Sequence, residues 1–285
     1  MRMTPTFRRL TRAELDTVLD WARIEGWNPG RHDAGAFWAT DPEGFHGMEV
    51  DGRLIGSGSI VSYDGRLGFV GLFIVRPEFR GRGLGTQLWN HLIARLRERL
   101  EPGAPAGLDG VFAMQDYYAR SGFAFTHRNL RMEGTGRNGA RTDDLVRLDT
   151  LPFAQVAAFD QAHFGVPRPN FLRHWIRPPG GLALGRLRDG ALSGIGVARP
   201  CMRGYKIGPL FAEDPETAGR LFAALSAFAA GHPIFLDIPE INTEAVALAR
   251  RHGLKEGFGC ARMVLGRPPE IPWRQIYGVT TFELG

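Results

Sequence analysis

The sequence predicts an α/β (α+β) fold arranged as two tandem units, and three observations carry that expectation. At 285 residues the chain exceeds the usual single domain of about 100 to 200 residues. From Phe69 to Val75 runs an apolar, β-branched and aromatic stretch closed by Pro77. Beyond Gly83, Leu84, Leu88, Leu92, Leu96 and Leu100 recur every fourth position, so a buried strand meets an amphipathic helix. The second half then repeats the first in outline and in order. Asp51-Gly52-Arg53-Leu54 returns as Asp189-Gly190-Ala191-Leu192, Gly71-Leu72-Phe73 as Gly208-Pro209-Leu210, Leu108-Asp109 as Leu236-Asp237, and Gly122-Phe123 as Gly253-Leu254.

Taken in order, Thr6 to Leu10 reads as a short strand. Thr11-x-x-Glu14 has the form of a capping box, opening a helix through Leu15, Val18, Leu19 and Ala22 that ends near Gly26. The loop Trp27 to Asp33 follows, then a short helix over Gly35 to Trp38 and a turn at Asp41 to Gly44. Phe45 to Val50 and Leu54 to Tyr63 form a hairpin, because Asp51-Gly52 supplies the positive φ values of a tight turn. A second such turn at Asp64-Gly65 leads into the central strand. After the long helix and a proline- and glycine-rich loop from Glu101 to Gly107, Leu108 to Met114 is the next buried strand. A helix carrying Tyr118 stops at Gly122.

Between central strand and long helix lie Arg80, Gly81, Arg82, Gly83, Leu84, Gly85 and Thr86. Several backbone N–H groups can converge there without Cβ obstruction, at the positive end of a helix. That is an anion site, best suited to a pyrophosphate. A nucleotide-triphosphate loop would need a lysine, which this loop lacks, and the spacing of Gly81, Gly83 and Gly85 is wrong for a dinucleotide fingerprint. What fits is Arg80-x-x-Gly83-x-Gly85 after a strand ending Val75-x-Pro77, which closely resembles the acyl-CoA loop of the GNAT acetyltransferases. Further ordered matches, WNPGRHD, DPEGF, LDGV, YYARSGF, HRNLR, GYKIGPL, LDIPEIN and GVTTFELG, make nearly the whole chain similar to the YitH-type tandem GNAT acetyltransferases.

The resemblance implies two GNAT domains, residues 1–137 and 143–285, each a mixed, mostly antiparallel twisted sheet flanked by helices, joined by a linker near Thr135 to Thr142. It implies acetyl-CoA as co-substrate, held at its pyrophosphate by Arg80 to Thr86 and along its pantetheine arm by the backbone of Leu72, Phe73, Ile74 and Val75. Tyr118, in the Tyr-x-x-x-Gly-Phe pattern, becomes the proton donor to the departing thiolate. The loop from Trp27 to Asp33 faces the acceptor. In the second half EDPETAGRL stands where the glycine loop should be and Ala249 where the tyrosine should be, so that half is read as having lost its own coenzyme site. Candidates for a base are His32, Asp33 and Asp116, with Asp237 and Glu240 placed at the acceptor cleft by analogy alone.

Cys201 and Cys260 are too few for a disulfide framework and are read as structural thiols, with no cysteine beside Tyr118 to carry an acyl group. Direct attack within a ternary complex is therefore expected. Neither His-Glu-x-x-His nor Cys-x-x-Cys occurs, so no metal is implied. The net charge of +5 comes from scattered arginines, the only lysines being Lys206 and Lys255, which argues against a nucleic-acid or ribosome-associated role. No apolar run is long enough for a membrane span and no secretory signal is read near Met1, leaving the cytoplasm as the default location. A small-molecule or peptide amine is the expected acceptor, with a polyamine, amino acid, amino sugar and peptide N-terminus all open, as is the oligomeric state. A non-catalytic acetyl-CoA-sensing module is the alternative, which intact Tyr118 argues against.

Overall fold

The computed structural model describes residues 4–139 and 143–285; residues 140–142 of the expected linker lie outside the described residues. A β-strand β1 (Thr6–Arg9) leads into helix α1 (Arg12–Ile24), whose capping box forms as anticipated: Thr11 Oγ1 accepts from the Glu14 N–H, and Glu14 accepts from the Thr11 N–H. Helix α2 (Asp33–Thr40) is longer than its apolar core suggested. Strands β2 (Phe45–Val50) and β3 (Arg53–Tyr63) pair across Asp51 and Gly52, whose φ values are 51° and 72°. Asp64 and Gly65, at 50° and 74°, turn the chain into β4 (Leu67–Val75). Helix α3 (Leu84–Arg99), β5 (Ala106–Val111), the short α4 (Gln115–Ala119) and β6 (Ala124–Thr135) complete the first half. The expected strand over Leu108 to Met114 ends early, because Phe112–Met114 coils into a 3₁₀ turn that feeds α4.

The second half runs β7 (Leu145–Arg147), α5 (Phe153–Phe164), α6 (Pro169–Trp175), β8 (Leu182–Arg188), β9 (Ala191–Pro200), β10 (Tyr205–Ala212), α7 (Pro215–Phe228), β11 (Pro233–Pro239), α8 (Thr243–Arg251), β12 (Lys255–Leu265) and β13 (Ile276–Gly278). Asp214 and Asn242 cap α7 and α8 by accepting from backbone N–H groups of their first turns.

All strands join one mixed, mostly antiparallel sheet in the order β1-β2-β3-β4-β5-β12-β6-β11-β10-β9-β8-β7, with β13 beside β10. Among the named strands of the described residues, β4–β5 and β10–β11 are the parallel pairs. The centre of this order is an exchange. Strand β12 lies between β5 and β6, with Cys260 opposite Val111 on one side and Asn129 on the other, while β6 lies between β12 and β11. Each half thus completes the sheet of the other. The packing follows: the cluster under α3 takes Ala261 and Met263 from the second half, and a second cluster joins Phe37 and Phe45 to Phe171, Trp175 and Phe211.

Candidate active site

Strands β4 and β5 are paired only over Gly68–Val70 and Ala106–Leu108, and then they part. The cause is local. Leu72 has φ 47°, the ladder with β3 slips between Ser57 and Ser59, and the Ser57 hydroxyl donates to the Leu72 carbonyl at 3.0 Å. A leucine in the left-handed region costs about 1–2 kcal/mol, and such strain marks functional positions. The repeat carries the same break, since β10 slips against β9 between Ile207 and Leu210. There, however, β13 lies along β10, with Leu210 opposite Gly278, and the Val279 N–H donates to the Asp237 carbonyl at 2.8 Å. The fork in the second half is filled by its own chain.

The fork in the first half opens into a cleft of about 500 Å³. At its head Gly81 and Gly83 both have φ 74°, with open space where a Cβ would stand, and Gly83 caps α3 with no side chain over the first turn. Gly85 faces the cleft between Val75 and Phe73. The backbone N–H groups and the positive pole of a sixteen-residue helix meet there, with no acidic residue in the first turn. Arg80 does something else as well: its Nε donates to the Val75 carbonyl at 2.6 Å and its guanidinium pairs with Glu25, bracing the end of β4 against α1. Leu72, Phe73, Ile74, Val75, Arg80, Gly81 and Gly85 line the cleft, while Arg82 and Thr86 are exposed on the loop and Leu84 is buried beneath it.

Tyr118 lines the cleft from the side of β5. Its ring packs on Trp89 at 5.0 Å between centroids, and Trp89 is fixed by an indole N–H donated to Ser121 at 2.7 Å. Gly110 on β5 leaves the room: a Cβ there would lie 2.3 Å from Tyr118 Cε2. Burial pushes the phenol pKa up, so the hydroxyl keeps its proton well above neutral pH.

The remaining wall comes from far along the chain. Trp27, Phe258, Cys260, Phe282 and Glu283 close the cleft opposite the loop. The Trp27 loop is docked on the exchanged strand β6 and on the second half: its carbonyl accepts from Arg131 of β6 at 2.7 Å and from Lys206 at 3.3 Å, and Asn28 pairs with the Arg203 backbone. Arg131 in turn makes a bidentate pair with Asp237, 2.7 Å at both contacts, and lies over the rings of Phe282 and Phe258. Burial alone would raise the Asp237 pKa, but the Arg131 charge and hydrogen bonds bring it below the usual carboxylate range. Asp237 is thus committed behind the wall, and removing its partner would cost about 3–5 kcal/mol. Of the other expected acceptor residues, Glu240 pairs with Arg128 at the surface. Asp33 is buried against Arg199 and, with His32, lines a separate hollow beside α6. Asp116 is exposed in the first turn of α4. Trp27 alone of this group faces the cleft.

Several cleft residues were not anticipated, Cys260 and Glu283 among them. Cys260, expected to be remote from Tyr118, shares its cleft because the exchanged strand brings it beside β5. Burial, then the charge of Asp109, raise its thiol pKa well above the ordinary value, which keeps it protonated and a poor nucleophile. Glu283 is 4% exposed, and its Oε2 has no hydrogen-bond partner among the described residues. Leaving a buried charged oxygen unpaired costs about 1–3 kcal/mol or more, so its presence asks for a reason. Asp109, also at the cleft, needs none: Arg262 and Asn129 hold its carboxylate at 2.7–2.8 Å. No local pattern around Glu283 announces a site, since apart from Phe258, Cys260 and Phe282 its cleft neighbours lie more than a hundred residues away. Among the described residues no cluster of three or more His, Cys, Asp or Glu is placed to hold a metal, and no helix is long and apolar enough to cross a membrane.

A forked central strand, a glycine loop at a helix N-terminus and a buried tyrosine at the fork are the parts of an acyltransferase. The chain belongs to the GNAT acetyltransferases and carries two such domains in tandem: residues 12–123 match the acetyltransferase (GNAT) family and residues 156–278 an acetyltransferase (GNAT) domain. It is 28% identical to holothin acyltransferase of a Pseudoalteromonas strain, over 95% of this chain and 92% of that one. It is 29% identical to the uncharacterized N-acetyltransferase YitH of Bacillus subtilis, over 67% and 71%. A putative acetyltransferase from Pyrococcus horikoshii has the same fold, with a TM-score of 0.84 at 23% identity over 99% of this chain and 96% of that one.

Proposed function

We propose that the protein transfers an acetyl group from acetyl-CoA to a primary amine of a small-molecule acceptor, by direct attack in a ternary complex at the cleft of the first half. The observation that carries this reading is the fork at Leu72, with its glycine loop at one end and Tyr118 at the other. The loop N–H groups and helix pole hold the pyrophosphate, and unpaired backbone groups of β4 align the pantetheine arm. As the amine nitrogen adds to the thioester carbon, a β4 N–H stabilises the oxyanion, a contribution of about 2.7–4 kcal/mol per donor. Collapse breaks the C–S bond, and the Tyr118 hydroxyl passes its proton to the leaving thiolate. The second half has no open fork of its own because β13 fills it, so one coenzyme per chain is the expected stoichiometry. The similarity to holothin acyltransferase over nearly the full length of both chains supports an acceptor of low molecular weight.

The test is isothermal titration with acetyl-CoA, followed by thiol release across a panel of primary amines. One binding event per chain and amine-dependent thiol release are expected; saturating coenzyme binding without release for any amine would leave a sensor instead. Gly83→Glu places a carboxylate at the helix pole, in a left-handed backbone position. It should weaken acetyl-CoA by at least about tenfold, or 1.4 kcal/mol, while stability falls only by the roughly 1–2 kcal/mol that a side chain costs in that backbone region; unaltered affinity would remove the pyrophosphate from this loop. Cys260→Ala should keep turnover. A loss of about 10³-fold or more, as for deletion of a covalent nucleophile, would instead require an acyl-enzyme.

A further inference from the structure

Glu283 is held in place by a compact turn. The Thr281 hydroxyl accepts from the N–H groups of Glu283 and Leu284 at 3.1 and 2.9 Å, and the Leu284 carbonyl accepts from the Tyr63 hydroxyl at 2.7 Å. Its backbone lies so close to β4 that a Cβ on Gly71 would meet the Glu283 carbonyl at 2.1 Å. Glu283 therefore lies against the strand at the fork and lines the same cleft as Leu72 and Tyr118. The charged and titratable groups near it are Arg131 on β6, Arg199 on β9, Lys206 on β10 and Cys260 on β12. The three basic groups have other partners: Asp237 for Arg131, Asp33 for Arg199 and the Trp27 carbonyl for Lys206. Glu283 keeps one oxygen uncommitted, flanked by the apolar faces of Trp27, Phe258 and Phe282.

Building on the acetyl-transfer reading above, we propose that Glu283 takes the proton from the acceptor ammonium, and that the acceptor is a compact primary alkylamine bearing a flat apolar group that lies among Trp27, Phe258 and Phe282. Oε2 accepts one N–H proton, and the freed lone pair forms the N–C bond to the thioester carbon. The C–S bond breaks with its pair going to sulfur, which Tyr118 protonates. Glu283 then yields its proton to solvent, and the nitrogen sheds its second N–H proton, which replaces the one that Tyr118 gave to sulfur. Amine and thioester have become amide and thiol.

Benzylamine and aniline are the probes, because benzylamine is an ammonium at neutral pH and aniline is already neutral. With Glu283→Gln, benzylamine turnover should fall by about 10²–10⁴ and the acid limb of its kcat/KM profile should vanish. Aniline turnover should fall far less, and acetyl-CoA affinity and melting should match the wild type. Formate added to Glu283→Ala should restore benzylamine turnover, a rescue that a packing role would not show. Wild-type benzylamine turnover with an intact acid limb in Glu283→Gln overturns the assignment. So does absence of both benzylamine binding to the protein–CoA complex by calorimetry and its acetylation by the wild type. Failure of the wild type to bind acetyl-CoA would instead sink the acetyl-transfer reading beneath it.

Discussion

Residues 1–137 produced alone will fail to form a coenzyme-binding unit, although they contain the whole glycine loop and Tyr118. Without β12, β5 loses its partner from Ala106 to Val111, and β6 stands apart from the sheet it should complete. The cluster under α3 loses Ala261 and Met263, both almost wholly buried. The second cluster loses Phe171, Trp175 and Phe211 from beneath α2. Each large apolar side chain contributes about 1.5–3 kcal/mol on burial, and the net stability of a domain is about 5–15 kcal/mol; the deficit is therefore comparable to the whole. Circular dichroism melting should show no cooperative transition and calorimetry no acetyl-CoA binding. Co-production with residues 143–285 should restore both, because the exchanged strands can still pair. A sharp transition and full coenzyme affinity in the isolated fragment would show that the exchange is dispensable.

Tyr118→Phe is expected to lower kcat by about 10²–10⁴ while leaving acetyl-CoA affinity unchanged. Three placements support this: Tyr118 lines the cleft, its ring is fixed by Trp89 and by the absence of a side chain at Gly110, and burial keeps the proton on oxygen. The sign for pH follows from that last point. A phenol whose pKa is raised from about 10 remains an acid through the whole neutral range, so its ionisation removes activity only on the far alkaline side. Wild-type kcat should accordingly show no loss from this group between about pH 6 and 9. The Phe variant should be slow across that window, not merely shifted along it. Turnover equal to wild type would reduce Tyr118 to packing, and the thiolate would then have to leave unprotonated or draw its proton from water.

The parts of this molecule that the sequence declares are those whose causes are local. Asp51-Gly52, Asp64-Gly65 and Asp189-Gly190 each supply two positive φ values in succession, and each is a tight turn between strands. Thr11 and Glu14 cap α1 as their spacing requires. The run from Phe69 to Leu100 shows the strand, loop and helix because composition changes at each boundary. The repeat found in the sequence was real at the level of element order, down to the ladder slips at Leu72 and at Gly208-Pro209. It could not announce the exchange, since swapped and unswapped halves present the same order of elements along the chain. For that reason Cys260 was expected to be remote from Tyr118, and the wall of the cleft was sought at Asp237 and Glu240. A strand like β12, exposed over its first three residues and buried only at Cys260, Ala261, Met263 and Val264, carries no mark of which neighbour it will choose. Glu283 was hidden in the same way, as the one charged residue in a buried segment of Val279–Gly285.

Two-domain enzymes often admit substrates by swinging apart about a hinge, as a clam opens. The interleaving of β6 with β12 closes that route here, because any such rotation would shear a ladder running from Lys255 to Val264 and from Ala124 to Glu133. Substrate and product therefore pass the rim of a cleft whose walls both halves share, and opening it by parting the halves would cost the ladder itself.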